Sequence, residues 1–364
     1  MKIYIPHTHF SISDKRHLFI LTRPFFHEKG WGNGFVFQDR VYTCFDRVNE
    51  IEEADVILLP FPVNYYASQG KVNDLLLINQ KCQKKSKRAF TYIQGDFGIA
   101  YPEFSNITYF RMGGFRSQLS ENNKGFPVGL SDHFQGIYKQ ESISPLAKRE
   151  LAVVGFCGHA TTSVSKRLKE LAKCMKENGR RLFQNPFRKD WEPLFASAYE
   201  RAKLLGYLED SSLLKTNFIY RNQYRAGAQS EAERNRTTLA YFDNISASDY
   251  VLCVRGAGNF SVRFYETLMM GKIPVFVNTD CLLPFEDQVN WKDHVVWVEW
   301  KDRKKIAQIV SDFHRNLSNE AFIQLQLNNR KLWKETLSVR GMLEMMEKHL
   351  VSRISTPLDV TRSM

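Results

Sequence analysis

The stretch from Asp249 to Leu268 reads Asp-Tyr-Val-Leu-Cys-Val-Arg-Gly-Ala-Gly-Asn-Phe-Ser-Val-Arg-Phe-Tyr-Glu-Thr-Leu, and its polar residues are spaced for gripping an anion. An apolar run feeds a turn holding Gly256 and Gly258, which permit a tight bend and close backbone approach. A helix is expected from Ser261 to Met270, stopped by Gly271, with Asn259 or Ser261 as its cap. Its free N–H groups, near Ser261 and Val262, and its positive end favour a phosphate. Arg255 and Arg263 add charge-assisted bonds suited to a diphosphate. Glu266, one turn further on, can accept bonds from ribose hydroxyls. The simpler reading makes Arg263 and Glu266 an i,i+3 surface ion pair and Arg255 a solvated loop residue. No Gly-Lys-Ser/Thr follows the glycines, and the third glycine of a Gly-x-Gly-x-x-Gly turn is absent, so this is neither a P-loop nor a dinucleotide fingerprint.

Other polar residues fall just after expected strands. His7 and His9 follow Lys2–Ile5; Gln94, Gly95 and Asp96 follow Ala89–Ile93; Gly158 and His159 follow Leu151–Cys157; Asp280 follows Ile273–Val277. In open α/β sheets ligands bind outside the carboxyl ends of the strands. Two such sheets facing each other would share one cleft. The bland alternative is that strand ends are loops in any such fold: Asp96 after Gly95 suits a turn, and each histidine suits a satisfied loop position.

The elements that must hold these residues alternate. Leu18–Leu21, Ala54–Pro60, Ala89–Ile93, Leu151–Gly158, Tyr250–Val254 and Ile273–Val277 read as strands. Asn73–Cys82 and Ser230–Asp243 read as helices, and so does a segment with Leu168, Leu171, Ala172 and Met175 on one face, closed by Gly179. Polar residues 135–150 read as a linker, and helices are expected from about Lys301. With 364 residues the chain divides into a first unit, 1–145, a second unit, 146–335, and a C-terminal helix with a loose tail, 336–364. The pattern implies α/β units with open parallel sheets covered on both faces.

Composition narrows the partners. The net charge of +12 suits nucleic acid, an anionic membrane surface or phosphorylated small molecules. The cations are dispersed; the densest runs, Lys81–Arg88 and Lys301–Lys305, read as solvated faces. Nucleic acid is therefore not expected, since no basic stripe interleaves with stacking aromatics. Six separated cysteines without a Cys-x-x-Cys pair argue for reduced thiols and against structural zinc. No secretory signal and no run of about 18 apolar residues is seen, so a cytoplasmic protein is expected, with peripheral contact to anionic membrane as an option.

Several separated segments, in order, resemble the exostosin family of glycosyltransferases. They are Ser248–Cys253 with Arg255-Gly256, Ser261–Leu268, Gly271-Lys272-Ile273-Pro274-Val275, and Leu283-Pro284-Phe285-Glu286-Asp287 with Trp291. Ala54-Asp55-Val56 with Pro60-Phe61, and Arg149-Glu150-Leu151 with Phe156 and Gly158, are similar more weakly. Eukaryotic members usually carry an N-terminal anchor, so this chain looks more like a bacterial or viral cytosolic member. The resemblance implies a GT-B architecture of two Rossmann-like domains across a cleft. It implies inverting transfer of a sugar from a nucleotide donor, foremost a UDP-sugar, to a hydroxyl of a glycan or lipid-linked glycan in surface polysaccharide synthesis. No metal or other cofactor is expected. On that reading Arg255, Gly256, Ser261, Val262, Arg263, Glu266 and His159 hold the donor, and Asp280 lines the sugar pocket with Glu286 and Asp287. The base comes from the first domain, Asp96 first and His7 or His9 next. The alternative is a catalytically inactive nucleotide-sugar-binding or scaffold paralogue.

Overall fold

The computed structural model describes residues 1–10, 12–18, 22, 45–188, 190–221 and 227–354. Its first sheet is built from β1 (Lys2–Tyr4), β2 (Asp46–Val48), β3 (Val56–Leu58), β4 (Ala89–Ile93), β5 (Ile107–Arg111) and β6 (Asn123–Gly125). The order is β2-β1-β3-β4-β5-β6 and every pairing is parallel. Helices α1 (Val63–Ser68) and α2 (Val72–Lys84) cross from β3 to β4, and α3 (His133–Tyr138) follows β6. Val-Ile-Leu in β3 is buried throughout, as a strand covered on both faces requires. Asp55 ties the sheet's start, accepting from the Lys2 backbone N–H at 2.7 Å.

The second sheet begins with β7 (Val153–His159), followed by α4 (Val164–Gln184), α5 (Ser197–Glu209), β8 (Lys215–Arg221), α6 (Glu231–Ala247) and β9 (Tyr250–Cys253). It continues with α7 (Val262–Met269), β10 (Ile273–Asn278) and β11 (Val296–Glu299), and the chain closes with α8 (Ile306–Asn316), α9 (Asn319–Leu332) and α10 (Val339–Ile354). The order is β11-β10-β9-β7-β8, again wholly parallel. Ser230 and Glu233 close a capping box at the start of α6, and Gly271, at φ 65°, takes the left-handed turn after α7. Two parallel sheets flanked by helices, made one after the other, form the GT-B-like arrangement of two Rossmann-like units that the resemblance implies.

Two local expectations differ. Residues 12–17 form a 3₁₀ turn and Leu18 is buried outside any strand; residues 19–21 of that expected strand lie outside the described residues, as does the tail from 355. Helix α4 runs through Gly179 to Gln184. A glycine inside a helix costs only about 1 kcal/mol, and the next turn is tied down by Arg180 and Arg181 on Glu177 and by Arg181 donating to the Asp190 carbonyl at 2.6 Å. The five described cysteines are free thiols, four of them buried.

The halves meet through backbone. Phe115 bridges to Cys281 and Gly125 to Pro284, and Asn259 Nδ2 donates to the carbonyls of Gly114, Thr279 and Asp280 at 2.8–3.0 Å. One apolar cluster contains Ile3, Phe90 and Phe110 of the first sheet together with Val251, Phe264 and Met346 of the second half.

Candidate active site

Both sheets reverse direction beside their first strand. In the second, β8 lies on one side of β7 and β9 on the other, so a crevice opens beyond the carboxyl ends of β7 and β9. His159 ends β7; Arg255 and the glycine turn follow β9; α7 starts there, with Ser261 in the cap position and Val262 as its first residue. In the first sheet the corresponding point lies between β1 and β3, where His7 and His9 form a turn after β1.

Arg263 lies along the end of β7. Its Nη2 donates to the Cys157 carbonyl at 3.0 Å, and its guanidinium sits 4.4 Å from the Phe156 ring centroid and 5.8 Å from that of Tyr241. Gly158 makes room for it, since a Cβ there would stand 2.7 Å from Arg263 Nη2. Arg201 of α5 donates from Nη1 to the His159 carbonyl at 2.5 Å. Burial and the neighbouring Arg263 charge pull its guanidinium down to about 10. His159 is likewise held below the ordinary imidazole value, first by burial and then by Lys166 and Arg201. Three buried nitrogens in this group, His159 Nε2, Arg201 Nε and Arg263 Nε, have no hydrogen-bond partner among the described residues. Each such group costs about 1–3 kcal/mol while it stays unpaired. Glu266 accepts from the Tyr241 hydroxyl and forms no ion pair with Arg263 among the described residues. The surface-pair reading of Arg263 and Glu266 is therefore not what the fold makes.

Arg255 does something other than the sequence suggests. It is buried between the rings of Phe115 and Phe195, at 5.1 and 4.7 Å, and its Nη2 donates to Glu192 at 2.7 Å and to the Ala257 carbonyl at 2.8 Å. The charge-assisted bonds expected toward a diphosphate are made to Glu192, which also faces Arg181 at 3.6 Å. Asp280 is corrected in the same way. At φ 64°, its carboxylate accepts from the backbone N–H and hydroxyl of Ser117, which ties it to the first half rather than to a sugar pocket. Glu286 pairs with Arg116 at 3.3 Å. Neither expected cap forms: Ser261 makes no side-chain cap bond, and Asn259 is used between the halves.

Asp96 and the glycine turn come together. A Cβ on Gly258 would lie 2.1 Å from the Asp96 carbonyl oxygen, and one on Gly113 would lie 2.3 Å from the same atom. The carbonyl is thus seated between two glycines from different halves, while the Asp96 side chain is exposed. Around Gly256 nothing stands within 4 Å of an added Cβ. His7 is exposed, and His9 is bonded through Nδ1 to the Tyr66 hydroxyl at 3.0 Å, with burial lowering its pKa. Among the described residues neither histidine is hydrogen-bonded to the glycine turn. Arg201 was missed by sequence reasoning; the only signal was a lone arginine in a helix that the reading did not place.

Residues 194–313 match the Exostosin GT47 domain. That segment is GT47-like, and it carries Arg201, Arg255, Arg263 and Glu266; His159 and Asp96 lie before it. Exostosin-1 of Drosophila melanogaster is 31% identical over 104 residues, covering 29% of this chain and 13% of that protein. The probable beta-1,4-xylosyltransferase IRX10L of Arabidopsis thaliana is 36% identical over 62 residues, covering 17% of this chain and 15% of that protein. The matches thus span less than a sixth of either relative's own length. These relatives are animal and plant proteins, and they lend no support to a specifically bacterial or viral kinship. Among solved structures, a glycosyltransferase from Rickettsia africae aligns over 91% of this chain and 84% of its own at 11% identity, with a TM-score of 0.36. So slight a likeness carries no weight, and the architecture rests on the sheet orders themselves. The second of these relatives is, by name, a probable xylosyltransferase. No helix among the described residues is long and apolar enough to cross a membrane.

Proposed function

We propose that the chain is an inverting glycosyltransferase that moves a sugar from a nucleotide sugar, a UDP-sugar in the first instance, to a hydroxyl of a glycan or lipid-linked glycan. The observation that carries this is the set of three unpartnered buried nitrogens, from His159, Arg201 and Arg263, at the crevice between β7 and β9. Arg263, Arg201, His159 and the first turn of α7 hold the diphosphate, and Glu266, oriented by Tyr241, takes the ribose. Asp96 removes the acceptor hydroxyl proton as that oxygen bonds to the anomeric carbon; the carbon–phosphate-oxygen bond breaks, and the nucleoside diphosphate leaves with the electron pair. The cations neutralise the leaving group, the task a divalent ion performs in other transferases, so the reading needs no metal. Arg255 acts indirectly, holding the turn through Glu192. Surface polysaccharide synthesis in the cytoplasm is the setting proposed for this activity.

The test is a thermal-shift and titration series with UDP, GDP, CMP and their sugars. One nucleotide diphosphate stabilises the fold by mass action. Arg263→Ala weakens its binding about tenfold to a hundredfold, the worth of a charged hydrogen bond. Arg255→Ala instead costs about 3–5 kcal/mol of stability in urea unfolding, because it removes the hydrogen-bonded partner of buried Glu192 and leaves that carboxylate only Arg181 at 3.6 Å. If Arg263→Ala keeps full affinity for every nucleotide, the site lies elsewhere.

A further inference from the structure

Helix α4 is turned the opposite way from a helix on a core. Its sequence is strongly amphipathic, yet the side packed on the protein is largely polar: Arg181 is buried and donates to the Asp190 carbonyl, Asn178 bonds the backbone of Glu192, and only Leu171 and Cys174, both half-buried, lie among them. The apolar stripe Val164, Leu168, Met175 and Leu182, at i, i+4, i+11 and i+18, is exposed. The stripe runs on into Phe183 and Phe187, 92% and 90% exposed. Both phenylalanines thus stand almost wholly in water, at a cost that a monomer in water does nothing to offset.

The charges on the same helix say what the stripe faces. Lys166, Lys169, Lys173, Lys176 and Arg180 are exposed. Its two carboxylates are not: Glu170 accepts from the Ala198 N–H, and Glu177 accepts from Arg180 and Arg181. A helix with a Leu/Met/Phe face, a lysine-rich remainder, and both acids withdrawn is complementary to an anionic, apolar-cored surface. A protein partner would have to supply both an apolar groove and a matching acidic rim, whereas an anionic bilayer supplies both everywhere.

We propose that α4 and the following turn dock on an anionic lipid surface, with Leu168, Met175, Leu182, Phe183 and Phe187 entering the acyl boundary and the lysines lying among the headgroups. The proposal stands apart from the donor-site reading, and none of these residues belongs to that site. The test is co-sedimentation of the full chain with phosphatidylglycerol/phosphatidylcholine vesicles and with pure phosphatidylcholine vesicles at low ionic strength. Binding is expected to the anionic vesicles, at least about tenfold weaker to the neutral ones, and reduced by added salt. Phe183→Ser with Phe187→Ser, and separately Lys169→Glu with Lys173→Glu and Lys176→Glu, each lower vesicle binding by about tenfold or more. Both variants keep the wild-type melting temperature and nucleotide response. No binding to anionic vesicles, or binding unchanged by both variants, overturns the proposal. A concentration-dependent dimer that the phenylalanine variant abolishes, without vesicle binding, also overturns it.

Discussion

His159 is a titrating reporter of whatever binds beside it. Burial, Lys166 and Arg201 all push its pKa below the ordinary imidazole value, so the free protein holds it neutral near pH 7. A bound diphosphate would favour the charged ring and raise that pKa. Linkage then fixes the sign: binding takes up a proton, and affinity for the nucleoside diphosphate rises as pH falls from about 7 toward the free protein's lowered value. Isothermal titration in two buffers of different ionisation heat should show this uptake, and His159→Gln should remove it. Equal affinity across the window would leave His159 out of the site. The same scale shows the limit of reading residues from sequence. The pattern around Arg255 and Arg263 marked both as phosphate ligands, and nothing local separates them. Their fates part because Glu192, over sixty residues away in the chain, meets Arg255 and not Arg263.

The glycine turn between β9 and α7 is the element on which the site pivots. Gly256 and Gly258 read as permitting close approach, and the structure shows what approaches Gly258: the Asp96 carbonyl, seated against Gly113 on its other side. The turn was legible from its composition, as were β4, β7, β9, β10 and α7, because buried parallel strands and a Gly-stopped helix leave local marks. Strand β8 was not. Its residues Lys215, Thr216, Ile219 and Tyr220 are exposed, so it lacks the continuous apolar run that identified the others. Helix α4 was recognised by the spacing of its apolar residues, but amphipathicity does not say which side meets the protein, and Leu168, Ala172 and Met175 are exposed. For the turn the expected effect is specific. Gly258→Ala places a methyl group on the Asp96 carbonyl, costs about 1–3 kcal/mol of stability, and displaces Asp96 enough to lower kcat by up to about a hundredfold. Nucleotide affinity should change far less, because the ligands proposed for the diphosphate sit on β7, α5 and α7. A kcat that stays at the wild-type value would separate Asp96 from the chemistry and leave His7 or His9 as the candidate base.

At the scale of the whole molecule, the alternation of strands and helices foretold two sheets but not how they join, for joining depends on residues far apart in sequence. A Cβ at Gly125 would stand 2.0 Å from the Leu283 carbonyl oxygen, so the end of β6 presses directly on the second half's backbone. Beneath that contact the core is shared: Ile3, Phe90 and Phe110 lie in one cluster with Val251, Phe264 and Trp333, and Met342, Leu343 and Met346 of α10 belong to it too. Neither half can lose its structure without exposing apolar surface of the other, which makes unfolding cooperative across the chain. Far-UV circular dichroism should report the loss of both sheets, whereas tryptophan fluorescence is weighted toward the second half through Trp291, Trp297, Trp300 and Trp333. The two probes should give coincident urea transitions. Gly125→Ala should move both to lower urea together, by about 1–3 kcal/mol, because overpacking at the seam strains the joint rather than either sheet. Two separated transitions in the unmodified chain would mean that the shared cluster does not couple the halves.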